Sequence, residues 1–309
     1  MPMTDYDLLL DDEIKAFVAQ TLQWYPADTF AQSVAENRAT YDAMCRAFFA
    51  GYPESIAARD AKVAGVPTRQ YRTKQARSGP LVVYLHGGGL MLGGLDSHDD
   101  VCAEIAETSG LPVWAVDYRL CPENTRLDAV QDAGLVLAAA SKSSKAGVIL
   151  VGDSAGGWLA GALARRNRDA PDILGQILIY PGLGGAMNKP SMTRHAQAPL
   201  LSADELGAYA LDPEKCTMSP LTDPDFSGLP PTLVLSAECD PLADDGPLYA
   251  DAIRRAGGQA LAIVEPGLVH GHLRARHMSK RARRSFERVN QAIAQLANDG
   301  RLDAAILTA

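Results

Sequence analysis

Apolar and polar positions follow two rhythms along the chain, and the rhythms succeed each other in a definite order. Between residues 8 and 25, Leu10, Ile14, Phe17, Val18, Thr21, Leu22 and Tyr25 form one stripe at helical spacing. Residues 34–50 predict a second helix. Short, nearly continuous apolar runs then appear at 81–86, 112–117, 148–152, 174–180, 232–237 and 259–264, with edge-strand character near 69–75. Apolar runs that alternate with helix-length segments predict a mostly parallel sheet with helices on both faces. Residues 183–228 interrupt this alternation with Pro, Gly and polar positions and one helical piece near 202–211. The expected organisation is therefore an α/β domain over residues 56–309. Residues 1–55 form the first part of a helical cap, and residues 183–228 supply the second.

Composition narrows the class. A chain of 309 residues with 47% hydrophobic content suits one large α/β sheet with an appended cap. A net charge of −8 argues against nucleic acid as a partner. Seven Lys and Arg residues between Arg274 and Arg288 read as a solvated helix face. The five cysteines are odd in number and form no C-x-x-C pair, which predicts free thiols, a reducing compartment and no zinc site. Acidic residues stand near the N-terminus where a signal peptide needs positive charge, and no apolar run reaches membrane-spanning length. The expected location is cytoplasmic, without membrane insertion.

Candidate chemistry starts at Gly152-Asp153-Ser154-Ala155-Gly156, which follows the apolar run Val148–Val151 and opens a small-residue stretch through Ala164. That context is strand, sharp turn, helix. A serine on such an elbow stands with its hydroxyl exposed above the sheet. Any Cβ on the flanking glycines would meet a neighbouring strand or helix. The plain alternative is a strand-to-helix turn that only needs small residues. His86-Gly87-Gly88-Gly89 ends another apolar run, Leu81–Leu85. Acyl transfer creates an oxyanion that needs donors already in place, and a glycine run offers bare backbone N–H groups. The N–H of Ala155, just after the serine, would add a further donor. The alternative for the glycines is a tight turn requiring φ > 0.

A serine nucleophile needs a base, and the base needs an orienting carboxylate. Of six histidines, His86 belongs to the glycine motif. His98 and His195 lie in polar stretches and read as surface or cap residues, while His272 and His277 fall in the basic stretch. His270 remains: it follows a strand-like run and the turn Glu265-Pro266-Gly267, and Gly271 leaves its ring room. For the carboxylate, the strand-like run Thr232–Ala237 ends in Glu238-Cys239-Asp240-Pro241-Leu242-Ala243-Asp244-Asp245. Asp240 has the best position, in the loop just past the strand, and Glu238 is its rival. Asp244 and Asp245 suit the first turn of the next helix, where carboxylates favour the dipole. Cys239 reads as a packing residue.

With these segments in hand, the chain resembles the hormone-sensitive-lipase-like esterases, bacterial family IV of the α/β-hydrolases. The resemblance rests on His86-Gly87-Gly88-Gly89, Asp117-Tyr118-Arg119-Leu120-Cys121-Pro122-Glu123, Gly152-Asp153-Ser154-Ala155-Gly156-Gly157, Ser219-Pro220-Leu221, Gly228-Leu229-Pro230-Pro231, Asp240-Pro241-Leu242 and His270-Gly271, in family order. It implies an α/β-hydrolase fold and a Ser154–His270–Asp240 triad. It also implies an oxyanion hole from the amides of Gly87, Gly88 and Ala155, with Gly89 there for close backbone approach. The implied activity is hydrolysis of short-chain carboxylic esters through an acyl-enzyme, with no cofactor and no metal. The family often dimerises through an edge strand, so a homodimer is among the assemblies it allows.

Several positions depart from the family pattern. Trp158 stands where an Asn is usual, four residues past the serine. It either narrows the acyl space or packs beneath the elbow. His272 replaces a Phe after His270-Gly271, and Asn124-Thr125-Arg126-Leu127 replaces the usual Pro-Phe-Pro segment. His270-x-His272 lacks a further ligand at metal-binding spacing. Two other activities use the same sequence features: an N-acyl or amide hydrolase with the same triad, and a non-catalytic ligand-binding protein on this fold. An ester–amide pair with one acyl group separates the first from an esterase. Retention of all three triad members argues against the second.

Overall fold

The computed structural model describes residues 4–25, 32–186, 188–209 and 218–307. The N-terminal stripe folds as two helices rather than one, α1 (Tyr6–Leu9) and α2 (Asp12–Leu22). Asp11 makes the break. Its backbone is extended, and its carboxylate accepts the Ile14 N–H at 2.9 Å, capping α2. The stripe still buries Leu10, Ile14, Phe17 and Thr21. Helix α3 (Val34–Phe48) starts at a reciprocal Ser33–Glu36 capping box and buries Tyr41, Met44 and Cys45.

The predicted edge near 69–75 is a hairpin of two strands, β1 (Ile56–Val63) and β2 (Val66–Thr73), turning through Ala64 and Gly65, both at positive φ. β1 is half exposed along its length, so it presents no apolar run to the sequence reader. Then follow β3 (Leu81–Leu85), α4 (Asp99–Ser109), β4 (Val113–Val116), α5 (Arg126–Ser143), β5 (Val148–Asp153), α6 (Ala155–Arg166) and β6 (Ile173–Ile179). After α7 (Pro190–Arg194) and α8 (Ala203–Tyr209) the chain re-enters the sheet as β7 (Thr232–Cys239). It continues through α9 (Asp245–Arg255) and β8 (Ala260–Val269) to α10 (Lys280–Asp299), followed by a 3₁₀ turn at Ala304–Leu307. The helix expected near 202–211 thus appears as α8, and its last two positions lie outside the described residues.

Among the described residues these strands form one eight-stranded sheet in the order β1-β2-β4-β3-β5-β6-β7-β8, parallel from β4 to β8. Side chains alternate across it. Val82, Tyr84, Ile149 and Val151 face a core completed by α4 and α10. Leu81, Val83, Leu85, Val148 and Leu150 face a core completed by α5, α6 and α9. Each fully buried aliphatic side chain contributes roughly 1.5–3 kcal/mol. The chain runs from β3 to one side and returns on the other as β5. The crevice beyond their carboxyl ends is therefore the switch point where such sheets hold ligands.

The basic stretch is not a solvated face throughout. Arg276, in the 3₁₀ turn His272–His277, is buried and paired with Asp100 at 2.6 Å and Glu104 at 2.7 Å. Arg288 is buried against Glu265 at 2.6 Å. These pairs fasten the turn and α10 to α4 and β8, while Lys280, Arg281, Arg283 and Arg284 remain exposed.

Candidate active site

Ser154 sits between β5 and α6 with φ 52° and ψ −119°, a conformation L residues rarely adopt. Such backbone costs on the order of 1–3 kcal/mol and persists only where the surroundings enforce it. The flanking glycines show how it is enforced. A β-carbon on Gly152 would lie 2.3 Å from the Gly156 carbonyl oxygen, and one on Gly156 would lie 1.9 Å from that of Leu85. The elbow therefore packs against itself and against the end of β3, with its hydroxyl directed out of the sheet.

Three side chains from three strand ends meet there. His270 Nε2 lies 2.9 Å from Ser154 Oγ, and His270 Nδ1 lies 2.7 Å from Asp240 Oδ2. Asp240 is buried and also accepts the Leu242 N–H at 2.9 Å. Ser154 and His270 are partly exposed. Glu238, the rival acid, points elsewhere: its carboxylate accepts the Gly267 N–H at 2.7 Å. Asp244 and Asp245 do open α9, but more than the dipole employs them. Asp244 accepts the Ser191 N–H at 2.8 Å. Asp245 accepts the Leu183 N–H at 2.7 Å and pairs with Lys189, tying the 183–190 segment to the loop after β7. Burial pushes the Asp245 carboxyl up to about 6 even though Lys189 opposes it.

The glycine loop departs from the expected oxyanion hole. Gly87 is buried, and its N–H is already spent on Asp153 Oδ1 at 2.9 Å. A β-carbon at Gly87 would sit 2.4 Å from Asp153 Oδ2 and one at Gly88 2.2 Å from the Leu92 carbonyl oxygen, so close backbone approach falls on these two glycines. One N–H cannot serve both a buried carboxylate and an oxyanion. Gly88 (φ 118°) and Gly89 (φ 64°) are partly exposed, and their amides donate to no other described residue. The N–H of Ala155, first residue of α6, has no acceptor within its helix. Among the described residues, the amides of Gly88, Gly89 and Ala155 therefore have no acceptor.

Asp153 was not singled out from the sequence, where an acid inside G-x-S-x-G gives no hint of its partners. Besides Gly87 it accepts from Tyr84 Oη at 2.9 Å and Tyr180 Oη at 3.4 Å, and His98 Nε2 lies 3.2 Å away. Burial alone would disfavour its charge. His98, Arg274 and the Tyr84 hydroxyl outweigh burial and hold it well below the usual carboxylate range. The Tyr180 ring in turn packs 4.9 Å from that of His270.

The other histidines have structural partners. His98 and His195 do sit at helix caps, but both are buried rather than at the surface. His272 is fully buried, with Nδ1 3.0 Å from the Val269 carbonyl and Nε2 3.1 Å from Ser285 Oγ. Both its nitrogens are therefore engaged away from His270. Burial lowers His86 and His272 to about 4. Cys45, Cys102, Cys121 and Cys239 are buried and free, and Cys216 lies outside the described residues. Trp158 is buried in the core under α5 and α6, with its indole N–H 3.5 Å from Ser219 Oγ. That is the packing position.

Helix α3 braces this site from the N-terminal side. Arg38 donates to the carbonyls of Met91 at 2.8 Å and Cys121 at 2.9 Å and forks onto Glu123. Arg274, four residues past His270, donates to Tyr41 Oη and lies over the Tyr41 ring.

A family model described as the α/β-hydrolase fold matches residues 82–274. The carboxylesterase NlhH of Mycobacterium tuberculosis is 37% identical over 227 residues, 67% of this chain and 71% of that one. The ethyl acetate hydrolase of Pseudomonas putida is 36% identical over 265 residues, 78% of this chain and 81% of that one. A crystal structure of an esterase from the bacterial hormone-sensitive lipase family superposes with a TM-score of 0.83, covering 93% of this chain and 98% of that one. At 22% identity, that last likeness speaks for the fold alone.

Proposed function

We propose, from the premise that the chain belongs to the α/β-hydrolase family and is a carboxylic ester hydrolase, that it cleaves short-chain acyl esters by two-step acyl transfer on Ser154. The observation that carries this reading is the continuous chain of contacts from Ser154 Oγ through His270 to Asp240. Ser154 Oγ attacks the ester carbonyl carbon while His270 Nε2 takes its proton. Asp240 holds the Nδ1–H and balances the imidazolium that forms. The carbonyl oxygen becomes an oxyanion received by the amides of Gly88, Gly89 and Ala155. The intermediate collapses, the C–O bond breaks, and His270 returns its proton to the departing alcohol. Water then attacks the acyl-serine with the same base, and the acid is released.

The short-chain preference follows the relative named for ethyl acetate. Residues 1–55 and 183–228 are proposed as the cap over the site. Arg38 and the Lys189–Asp245 pair support this by tying both segments to the strand-end loops. β8, an outer strand of the sheet, is the proposed homodimer edge, which light scattering in solution tests. No helix among the described residues is long and apolar enough to cross a membrane. Four buried free thiols support the cytoplasmic assignment.

The deciding experiment is Ser154→Ala on 4-nitrophenyl butyrate with the matching anilide as control. Turnover should fall at least about 10³-fold and phosphonate labelling should vanish. A folded variant that retains labelling or activity overturns the reading.

A further inference from the structure

The 3₁₀ turn that follows His270 carries two arginines in different electrostatic situations. Arg276 is saturated by Asp100 and Glu104. Arg274 has no carboxylate within ion-pair distance among the described residues. It donates one N–H to Tyr41 Oη, its guanidinium carbon lies 5.0 Å from the Tyr41 ring centre, and its Nε has no hydrogen-bond partner. Its Nη1 sits against the backbone beside the base, 3.4 Å from where a β-carbon on Gly271 would stand. The side chain is partly exposed. Around it lie Tyr41 and Cys45 of α3, Tyr180 and Asp153. The one carboxylate in that set, Asp153, feels the Arg274 charge without an ion-pair contact, and it already holds Gly87 and Tyr84.

A guanidinium carries five N–H donors in a planar fork that matches a carboxylate, and it does not deprotonate. Here Tyr41 and Cys45 engage part of the fork and Nε is unpartnered, in a partly desolvated place one residue from the backbone of the base. Such a cation discriminates between ligands more by charge than by size. We propose that Arg274 is a specificity-determining residue that receives a carboxylate carried by the substrate, so that the preferred esters are anionic ones such as monoesters of dicarboxylic acids. The proposal rests on the esterase reading and adds the substrate class to it.

The test compares matched esters. On the acyl side, 4-nitrophenyl hydrogen adipate is set against 4-nitrophenyl hexanoate; on the alcohol side, 4-carboxyphenyl hexanoate is set against phenyl hexanoate. Wild type should favour the anionic member of one pair by roughly 10-fold or more in kcat/KM, mainly through KM, as a charge-assisted hydrogen bond allows. The pair that responds identifies the half of the ester that meets Arg274. Arg274→Gln should remove that preference, and Arg274→Lys should restore part of it. An equal loss on both members of a pair makes Arg274 a mere tie between α3 and the turn and overturns the proposal. If Arg274→Gln does not fold, wild type decides alone, since no preference in either pair overturns it. A wild type inactive on all four esters sinks the esterase reading instead, a separate result.

Discussion

The N–H of Gly87 donates to the carboxylate of Asp153 at 2.9 Å, so the residue before Ser154 holds the first glycine of the loop that faces it. The elbow and the glycine loop are thereby one unit. Asp153 fixes where the chain leaves β3, and the next two amides have no acceptor among the described residues.

The first prediction follows from that unit. Asp153→Ala deletes the acceptor for Gly87 and Tyr84 and should lower kcat by about 10²-fold, the scale of losing one oxyanion donor, with KM little changed. Asp153→Asn keeps an acceptor oxygen and should stay within about 10-fold of wild type. Affinity for a trifluoromethyl ketone, which forms an oxyanion on Ser154, should fall in parallel with kcat. A folded Asp153→Ala enzyme with unchanged kcat would separate Asp153 from the loop's geometry.

The second concerns the two acids at the end of β7. Asp240→Asn should reduce kcat/KM by about 10³- to 10⁴-fold, because an amide in that place no longer selects the working tautomer of His270. Glu238→Gln should cost less than about 10-fold, since its carboxylate accepts from the Gly267 amide rather than from His270. A reversed order on 4-nitrophenyl butyrate would exchange the two roles.

Much of this was legible in the sequence for a physical reason. Buried parallel strands read as apolar runs, and an elbow that admits no β-carbon at Gly152 or Gly156 leaves a spacing that few other turns require. The half-exposed β1 left no such run. The break at Asp11 depends on one capping bond that competes with an unbroken helical stripe. The assignment of donors within the glycine loop was not legible either. It is decided by a contact between positions 66 residues apart, Gly87 and Asp153, and glycines carry no pattern that says which amide is taken. The burial of Arg276 and Arg288 was hidden likewise, because their acids lie on other elements, α4 and β8.

The third prediction concerns pH. His86 and His272 are buried neutral, with pKa values lowered by burial to about 4. Between about 6.5 and 4 the unfolded chain therefore binds protons that the folded chain refuses, so stability is full above that window and is lost as pH falls through it. Each contributes on the order of 3 kcal/mol. Asp245, raised to about 6, works in the opposite sense: its folded form binds a proton first, which gains stability as pH falls. Two histidines against one carboxyl leave a net loss toward acid. Urea midpoints at pH 7, 5.5 and 4.5 should fall in that order, and His272→Gln should flatten the slope. An unchanged slope in that variant would mean that His272 charges freely in the folded state.

The last prediction settles what Trp158 does. Standing one turn past Ser154 on α6, its indole could have lined the acyl space or filled the core. It is 4% exposed, its N–H reaches toward Ser219, and Arg126 lies 5.9 Å from its ring. On the same helix Gly161 lies so close to Pro220 that a β-carbon there would be 2.8 Å away. α6 is thus the surface on which the 219–221 segment lands before the chain enters β7, and Trp158 is the largest side chain on α6. Trp158→Ala should cost about 3–5 kcal/mol of stability, as large-to-small changes in a packed core do. It should lower kcat/KM on 4-nitrophenyl acetate, butyrate and octanoate by similar factors, because a cavity beneath the elbow disturbs every substrate alike. Trp158→Phe, which keeps most of the volume, should recover most of both losses. If Trp158→Ala instead gains on octanoate relative to acetate, the new space opens onto the acyl chain. Each added methylene it accommodates would then be worth about 0.8 kcal/mol, and Trp158 would belong to the substrate pocket after all.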